Sequence, residues 1–318
     1  MKSLLLLILL LSYNTMSQER SSEMNHHEQL TFFEKGEIKE DGDKYRYQLL
    51  LWNLYRFQNM KPALELSKKE VEFFERLLKS DFLLFQELKW PQQAPLRSIT
   101  DNLLKTQTFN FVGLSYPVRE YGLFFPNEYG LGIGTLSKKE PLDWKGFISE
   151  KPERTGDVLG GQMLTGRRHK NALSTTFSVK NHKGESKNLL IINVHNLVSR
   201  SIHSQQDLID KSIARIREHN GPVIFAGDFN TWSFFGEATG PLISSAKSVG
   251  LKKINFTSPV TFLSGGVKFQ MEHLFVKGLH IIPESVVPMN EISLSDHPPV
   301  FFEFCLEEDK NEENCLKK

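Results

Sequence analysis

The chain has 318 residues, of which 39% are hydrophobic and 24% are charged, and its formal net charge is +1. This is the composition of an ordinary globular protein with enough apolar material for a large core. The near-zero charge excludes a strongly basic protein that binds nucleic acid through its overall charge, while local patches of either sign remain compatible with it.

The first residues have the pattern of a secretory signal peptide. Met1-Lys2 is a short positive start, residues 4–11 are entirely apolar, and Thr15-Met16-Ser17 supplies small side chains for signal peptidase. Because the apolar run is too short to span a bilayer comfortably, we expect residues 1–17 to be removed rather than to anchor the chain. The mature protein is then exported, to the periplasm or the medium, without a transmembrane segment.

Residues 18–44 are polar and charged and predict a linker. The globular part begins at Tyr45, where an apolar stretch starts. Its predicted elements, in chain order, are strands at 45–53, 82–85, 109–115, 131–136, 172–179, 189–194, 223–226 and 299–304, and helices at 64–79 and 205–217.

Two glycine-containing segments connect these elements. Residues 151–171 predict a long loop that contains Gly and Arg. Gly265-Gly266 lies between two alternating segments, 260–264 and 267–275, and therefore predicts a β-hairpin.

The end of the chain, residues 306–318, predicts a charged tail. It contains Cys315, and Cys305 precedes it. Export would permit a disulfide between them, and two unpaired thiols fit the sequence equally well. Their spacing lacks the Cys-x-x-Cys pattern of a zinc site.

Strands outnumber helices in this pattern, and several strands follow one another directly. A doubly wound parallel sheet would alternate strand and helix more regularly. We therefore predict an α+β fold in which two mixed β-sheets pack face to face with helices outside, a four-layer α/β/β/α sandwich. One domain covers residues 45–305.

Polar residues stand at the ends of the predicted strands. A Glu or His in such a position is, taken alone, more often a solvated loop residue or a filler. If the strand ends meet at one edge of a sandwich, however, they form a pocket with carboxylate, amide and imidazole groups. The residues concerned are Asn53, Glu87, His195 and Asp228, which follow strands, and Asp296 and His297, which precede one.

Asp228 and Asn230 lie two positions apart on an extended segment, so their side chains point to the same side. A carboxylate there can orient water, and the amide can donate to a phosphoryl oxygen. An Asx turn after a strand is equally compatible with a bare Asp-x-Asn.

Five motifs occur in the order found in the endonuclease/exonuclease/phosphatase superfamily, which the chain resembles from Tyr45 to Phe304. That superfamily includes pancreatic-type deoxyribonucleases, abasic-site endonucleases, inositol polyphosphate phosphatases and bacterial sphingomyelinases. Further matches look like bacterial members whose substrates are not established. The five motifs are Leu51-Trp52-Asn53, Gln86-Glu87, Asn193-Val194-His195, Gly227-Asp228-Phe229-Asn230 and Ser295-Asp296-His297.

The resemblance implies a metal site made of oxygen ligands. Glu87 would be the principal ligand, with Asn53 and Asp296 close to the ion. Ligands of this kind suit Mg²⁺, with Mn²⁺ or Ca²⁺ as alternatives, rather than zinc.

The resemblance also implies roles in catalysis. Asp228 would orient or deprotonate the attacking water, and Asn230 would stabilise the pentacoordinate phosphate. His297 would contact the scissile phosphate, while His195 would help the leaving oxygen to depart. Lys170 would bind substrate, because a basic residue often opens a strand near the substrate in this family.

The chain departs from the family's pattern at Glu272, where an Asp usually orients the catalytic imidazole. Glu can make the same hydrogen bond, although its extra methylene must be accommodated. We therefore predict that Glu272 holds His297, and that the next residue, His273, is structural.

These roles describe a divalent-metal-dependent phosphoesterase that hydrolyses a phosphodiester by in-line attack of water. A nuclease fits the match at His195, with nucleic acid as the substrate and no stable protein partner implied. A sphingomyelinase-like or phosphoinositide phosphoesterase is the alternative, with Trp232, Phe234 and Phe235 as candidate membrane-facing aromatic residues. A non-catalytic binding module on the same fold is disfavoured by the intact set of site residues.

Overall fold

A computed structural model describes most of the chain. The described residues are 30–35, 45–54, 67–88, 111–116, 118–120, 128–129, 132–150, 153–159, 162–197, 202–231, 239–257, 262–264, 267–292 and 294–316. The predicted signal peptide and the aromatic residues at 232, 234 and 235 lie outside them. Within these ranges, no helix is long and apolar enough to cross a membrane.

Strands make up most of the regular structure in the described ranges. They are β1 (Leu30–Lys35), β2 (Tyr47–Asn53), β3 (Phe82–Leu88), β4 (Phe111–Tyr116), β5 (Val118–Glu120), β6 (Glu128–Tyr129), β7 (Gly132–Ser137), β8 (Pro141–Ile148), β9 (Glu153–Leu159), β10 (Gln162–Arg168), β11 (Asn171–Lys180), β12 (Ser186–His195), β13 (Val223–Asp228), β14 (Lys252–Ile254), β15 (Phe262–Ser264), β16 (Val267–Phe269), β17 (Glu272–Lys277), β18 (Leu279–Ile281), β19 (Val287–Pro288) and β20 (Val300–Leu306). The helices are α1 (Lys68–Lys79), α2 (Ile202–Arg217), α3 (Thr239–Ser248) and α4 (Glu313–Leu316), with 3₁₀ turns at Pro283–Ser285 and Glu307–Asp309.

Two large mixed sheets dominate the architecture. The first has the order β1-β4-β7-β3-β2-β20-β18, with β19 also pairing with β20. The second has the order β14-β17-β13-β12-β11-β8. Each sheet contains one parallel pair, β2 with β3 and β12 with β13, among antiparallel neighbours. Smaller sheets join β6-β5-β10-β9 and β15-β16.

Alternation along the strands divides the apolar side chains between two layers. In β12, Leu189 and Ile191 belong to the core between the sheets, together with Leu51 from β2. Leu190 and Ile192 belong to a second core beneath α2 and α3. Successive strand residues face opposite sides, so a sheet covered on both faces is apolar throughout.

Helix α1 covers the outer face of the first sheet. The ring of Phe73 lies 5.1 Å from that of Trp52 and 5.8 Å from that of Phe301. The order of layers is therefore α1, first sheet, second sheet, and α2 with α3. The predicted four-layer α/β/β/α sandwich is confirmed.

A capping box fixes the start of α1. The Ser67 hydroxyl accepts a hydrogen bond from the Glu70 backbone N–H, and the Glu70 carboxylate accepts one from the Ser67 N–H at 2.7 Å. Because this arrangement satisfies two unpaired helix donors, the helix begins at Lys68, later than the predicted residue 64.

Two predicted connections are wrong. The predicted loop 151–171 contains the antiparallel pair β9 and β10, in which Leu159 is opposite Gln162. The intervening dipeptide is Gly160-Gly161, the same hairpin signal that correctly predicted the pairing of β15 with β16. The predicted strand 267–275 is divided, because β16 ends at Phe269 and β17 continues in the second sheet.

The polar segments at the two ends contain more structure than we predicted. Within the predicted linker, β1 adds an edge strand to the first sheet. Its residues Thr31-Phe32-Phe33 are of types that are common in strands. In the predicted tail, a disulfide joins Cys305 to Cys315. Buried Asp309 also accepts hydrogen bonds from the backbone and the ring of His182. The sandwich therefore continues beyond residue 305.

Breaking this disulfide should destabilise the fold. Closing a loop of this size contributes roughly 2–3 kcal/mol to the free energy of unfolding. We expect Cys315→Ser to lower that free energy by about this amount in urea titrations. A reductant should lower the wild type to the same level and leave the variant unchanged; equal stability of the two oxidised proteins would contradict the prediction.

Candidate active site

The predicted polar residues meet at one edge of the sandwich. In the second sheet, His195 is in register with Asp228, and Asp228 with Glu272, so the three side chains stand in a row across neighbouring strands. In the first sheet, Asn53 is in register with Gln86 at the corresponding ends of β2 and β3. The strand ends thus bring together the groups that the sequence distributed along the chain.

Asp228 is held by donors on both of its carboxylate oxygens. The Asn53 side chain donates from the opposite sheet at 2.8 Å, and the Asn230 backbone N–H donates at 2.9 Å. Asp228 is 1% exposed. These two bonds fix the orientation of the carboxylate between the sheets.

The predicted contact between Glu272 and His297 is present. The Nδ1 atom of His297 lies 2.5 Å from Oε1 of Glu272, and both side chains are buried. Burial opposes the charged imidazole, but the charge and hydrogen bond of Glu272, together with Asp228 and Asp296, raise the pKa of His297 to about 9. His297 is therefore a cation at neutral pH.

The segment that carries His297 is bound to the end of β2. The Trp52 indole N–H donates to the His297 carbonyl at 2.9 Å, and the Ser295 hydroxyl donates to the Asn53 carbonyl at 2.8 Å. The His297 backbone N–H in turn donates to the Ser295 hydroxyl. These bonds fix the backbone of Asp296 and His297 relative to Asn53.

Glu87 and Asp296 supply the more open carboxylates of the site. Their side chains are 16% and 19% exposed, whereas that of Asp228 is 2% exposed. Burial raises the pKa of Asp296, His297 opposes the shift, and the charge of Glu87 raises it further. Two carboxylates that repel each other at an accessible edge are suited to a divalent cation.

A second arrangement of possible ligands is fully buried. One atom each of Asp228, Glu272 and His297 lie within 4.8 Å of one another and could hold a metal. A histidine ligand must be deprotonated, and the raised pKa of His297 opposes this. The site therefore contains groups that could hold a metal ion. The carboxylates of Glu87 and Asp296 suit it better than the set that includes the imidazole of His297.

His195 faces the same carboxylates from the second sheet. Its Nε2 atom lies 3.5 Å from Oε1 of Glu87 and 4.0 Å from Oδ2 of Asp228. The Nζ atom of Lys170 lies 2.6 Å from the same nitrogen, and Lys170 is 1% exposed. Lys170 therefore reaches the site through His195, and its contact with substrate stays a prediction.

For Asn230 the structure shows one of the two interpretations that the sequence left open, the Asx turn, and its contact with phosphate stays a prediction. Its backbone N–H closes an Asx turn with Asp228, and its φ is 51°. Its side chain donates to the Asn196 carbonyl at 2.8 Å, while its own carbonyl accepts from Gln205. We did not predict Asn196 or Gln205; the only sequence signal was that Asn196 follows His195.

His273 is structural, as its surroundings show. It is buried against the rings of Phe229 and Phe275, and its Nε2 lies 2.6 Å from the Thr231 hydroxyl. Burial, followed by the charge of Lys253, lowers the pKa of His273 to about 3. It is thus a neutral core residue.

Comparisons with known proteins give the family of the chain and the neighbours of its fold. Residues 50–297 match the model of the Endonuclease/Exonuclease/phosphatase family. A UPF0294 protein of Vibrio parahaemolyticus is 25% identical over 268 residues, which cover 83% of this chain and 79% of that protein. The matched family segment lies within the predicted domain, residues 45–305, and includes every candidate site residue.

Two solved structures share the fold. An endonuclease/exonuclease/phosphatase from Beutenbergia cavernae superposes with a TM-score of 0.53 at 13% identity, over 83% of this chain and 72% of that one. The human Nocturnin catalytic domain, solved with a bound sulfate anion, superposes with a TM-score of 0.51 at 12% identity, over 87% of this chain and 97% of that one. Both likenesses concern the architecture alone.

The Glu272–His297 pair should behave as a unit in catalysis. We expect His297→Ala to lower kcat at least about a hundredfold, because an electrophilic contact at a developing oxyanion is lost. Glu272→Gln should cost less, and adding it to His297→Ala should cost almost nothing more. Glu272→Asp should be tolerated. Steady-state kinetics on the four variants, with His280→Ala as a half-buried control, test this; multiplicative losses would disprove the pair.

The raised pKa of His297 also predicts a pH dependence of stability. The folded-state pKa of about 9 exceeds the ordinary value of 6.5, so its stabilisation is complete below pH 6.5 and is lost as the pH rises through 9. In chelator, the stability difference between wild type and His297→Gln should therefore shrink over that interval. A constant difference in urea titrations would show that His297 does not titrate as described.

Proposed function

Because the chain belongs to the endonuclease/exonuclease/phosphatase family and is thus a metal-dependent phosphoesterase, we propose that it is a nuclease. It hydrolyses phosphodiester bonds of DNA or RNA by in-line attack of water. The observation that carries the proposal is the position of Asp228 between two imidazoles. His195 lies 4.0 Å from it on one side, and a nitrogen of His297 lies within 4.8 Å of it on the other.

Glu87 and Asp296, with Asn53 beside them, are the residues that would hold the cation, and Mg²⁺ suits them best. A divalent cation held there would polarise the phosphoryl oxygens and neutralise the charge that develops on them. Asn53 also donates a hydrogen bond to Asp228. This bond connects the residues that would hold the cation to the residue that would act on the attacking water.

The side chains divide the remaining work between them. Asp228 would orient or deprotonate the attacking water with the lone pairs that its bonds to Asn53 and Asn230 leave available. Protonated His297 binds a non-bridging phosphoryl oxygen and is held by Glu272. His195 would help the leaving oxygen to depart, and the proton for the alkoxide would come from His195 and the Lys170 ammonium 2.6 Å from its Nε2. An alkoxide departs slowly without such a donor. Asn230 would contact the same phosphate through the amide hydrogen that it does not donate to the Asn196 carbonyl.

The roles proposed above involve only the phosphate, the attacking water and the leaving oxygen. Cleavage should therefore not depend on the base sequence of the nucleic acid. A protein that contacts only the backbone binds through phosphate charge, and such binding weakens as salt is added.

A panel of substrates tests the proposal. With Mg²⁺ or Mn²⁺, the purified chain should cleave plasmid DNA or RNA, and excess chelator should abolish cleavage. Glu87→Gln should abolish it as well, whereas Glu75→Gln, the same change on an exposed face of α1, should not. Release of a headgroup from sphingomyelin or phosphoinositides without cleavage of nucleic acid would establish the lipid alternative instead.

We also propose that the mature chain is exported. The pattern of residues 1–17 supports this, and so does the Cys305–Cys315 disulfide, since disulfides persist mainly in oxidising compartments. N-terminal sequencing of protein recovered from the periplasm or the medium should begin near Gln18. Exported material that begins at Met1 would contradict cleavage.

A further inference from the structure

Glu87 lies on a strand whose regular alternation would point it away from the site. In β3, Phe82 and Leu84 face the core between the sheets. Phe85 faces the other side, where its ring packs against Trp52 beneath α1. Strict alternation would place Glu87 on that same outer side, but its carboxylate lies 3.5 Å from His195 of the opposite sheet.

A β-bulge resolves this difference. Phe85 is paired with Gly134 and Leu88 with Gly132, so two residues of β3 oppose a single residue of β7. Glu87 has a φ of 55°, in the left-handed region. Residues other than Gly and Asn adopt this backbone conformation at a cost in free energy. A β-bulge is a common way to redirect a side chain next to an active site.

The side chain of Asn193 binds this bulge from the second sheet. Its Oδ1 accepts a hydrogen bond from the Gln86 amide at 2.6 Å. Its Nδ2 donates to the carbonyls of Phe85 at 3.2 Å and of Gly134 at 2.9 Å. Both polar atoms of the Asn193 side chain therefore bind residues that form or flank the bulge, and these hydrogen bonds join the two sheets.

We propose that Asn193 and Gln86 are positioning residues that hold the bulge and thereby aim the Glu87 carboxylate into the site. Both are fully buried. The inference rests on the proposed function in one respect, the role of Glu87 as a metal ligand. Groups that orient ligands in this way typically change metal affinity about 10–100-fold when they are removed.

Positioning can be separated from stability at Gln86. Its Oε1 atom is buried and has no hydrogen-bond partner among the described residues. An apolar side chain of similar length removes this unpaired acceptor but leaves the buried Oδ1 of Asn193 without its donor. One unpaired buried acceptor thus replaces another, and the two costs roughly offset each other. Gln86→Met should therefore keep the fold and still release the bulge.

The experiment compares Gln86→Met and Asn193→Asp with a matched control, Thr135→Val. Thr135 is also buried, and its hydroxyl has no partner in the described part of the chain, but it does not bind Gln86 or Asn193. Mn²⁺ binding to the chelator-treated full chain is measured by calorimetry without substrate, beside thermal unfolding and hydrolysis kinetics. The Mn²⁺ dissociation constant should rise at least about tenfold in both bulge variants, with similar melting temperatures and little change in KM. Thr135→Val should match wild type.

Glu87→Gln separates this inference from the proposed function. Weakened Mn²⁺ binding in Glu87→Gln, with wild-type binding in both bulge variants, would overturn the positioning role alone. Unchanged binding in Glu87→Gln would overturn the metal assignment, and the positioning role with it. Asn193→Asp loses the bonds donated to Phe85 and Gly134 but keeps an acceptor for Gln86. If it does not fold, Asn193→Ser replaces it, since serine removes the side-chain amide without adding a charge. Adding Gln86→Met to Glu87→Gln should weaken binding no further.

Discussion

Four carboxylates, Glu87, Asp228, Glu272 and Asp296, lie together at one edge of an apolar sandwich. Like charges repel strongly where water is scarce, so they can share this edge only if other groups compensate them. His297 does so directly: its pKa of about 9 makes it a cation bonded to Glu272. In the more open pair, burial raises the pKa of Asp296, His297 opposes that shift, and the charge of Glu87 adds to it. Repulsion between Glu87 and Asp296 is the physical reason to expect a divalent cation beside them.

The sequence predicted the layers of the fold better than its connections. Apolar runs such as 189–194 identify strands that are covered on both faces, and their positions agree with β12 and its neighbours. Short edge elements carry no comparable signal, because partners distant in sequence complete them: β1 pairs with β4, and the division between β16 and β17 depends on which sheet each joins. The disulfide could not be predicted, because spacing does not reveal whether two cysteines approach in space.

Site residues at the ends of strands were predictable because their motifs are local. The groups that support them were not. Gln86 and Asn193 stood inside two of the quoted motifs, yet their contact joins positions 107 residues apart. Lys170 was expected to face substrate, but its direction depends on packing, which turns it toward His195. The bulge at Glu87 was equally hidden, since regular alternation places this carboxylate on the wrong side of its sheet.

Crystals grown with Mn²⁺ would locate the cation directly through its anomalous scattering. The site described above requires a peak at coordination distance from the carboxylates of Glu87 and Asp296, close to Asn53, with the Glu272–His297 hydrogen bond intact. A peak bound by Asp228, Glu272 and Nδ1 of His297 would contradict it, because the imidazole would then be a neutral ligand rather than a cation that faces the phosphate.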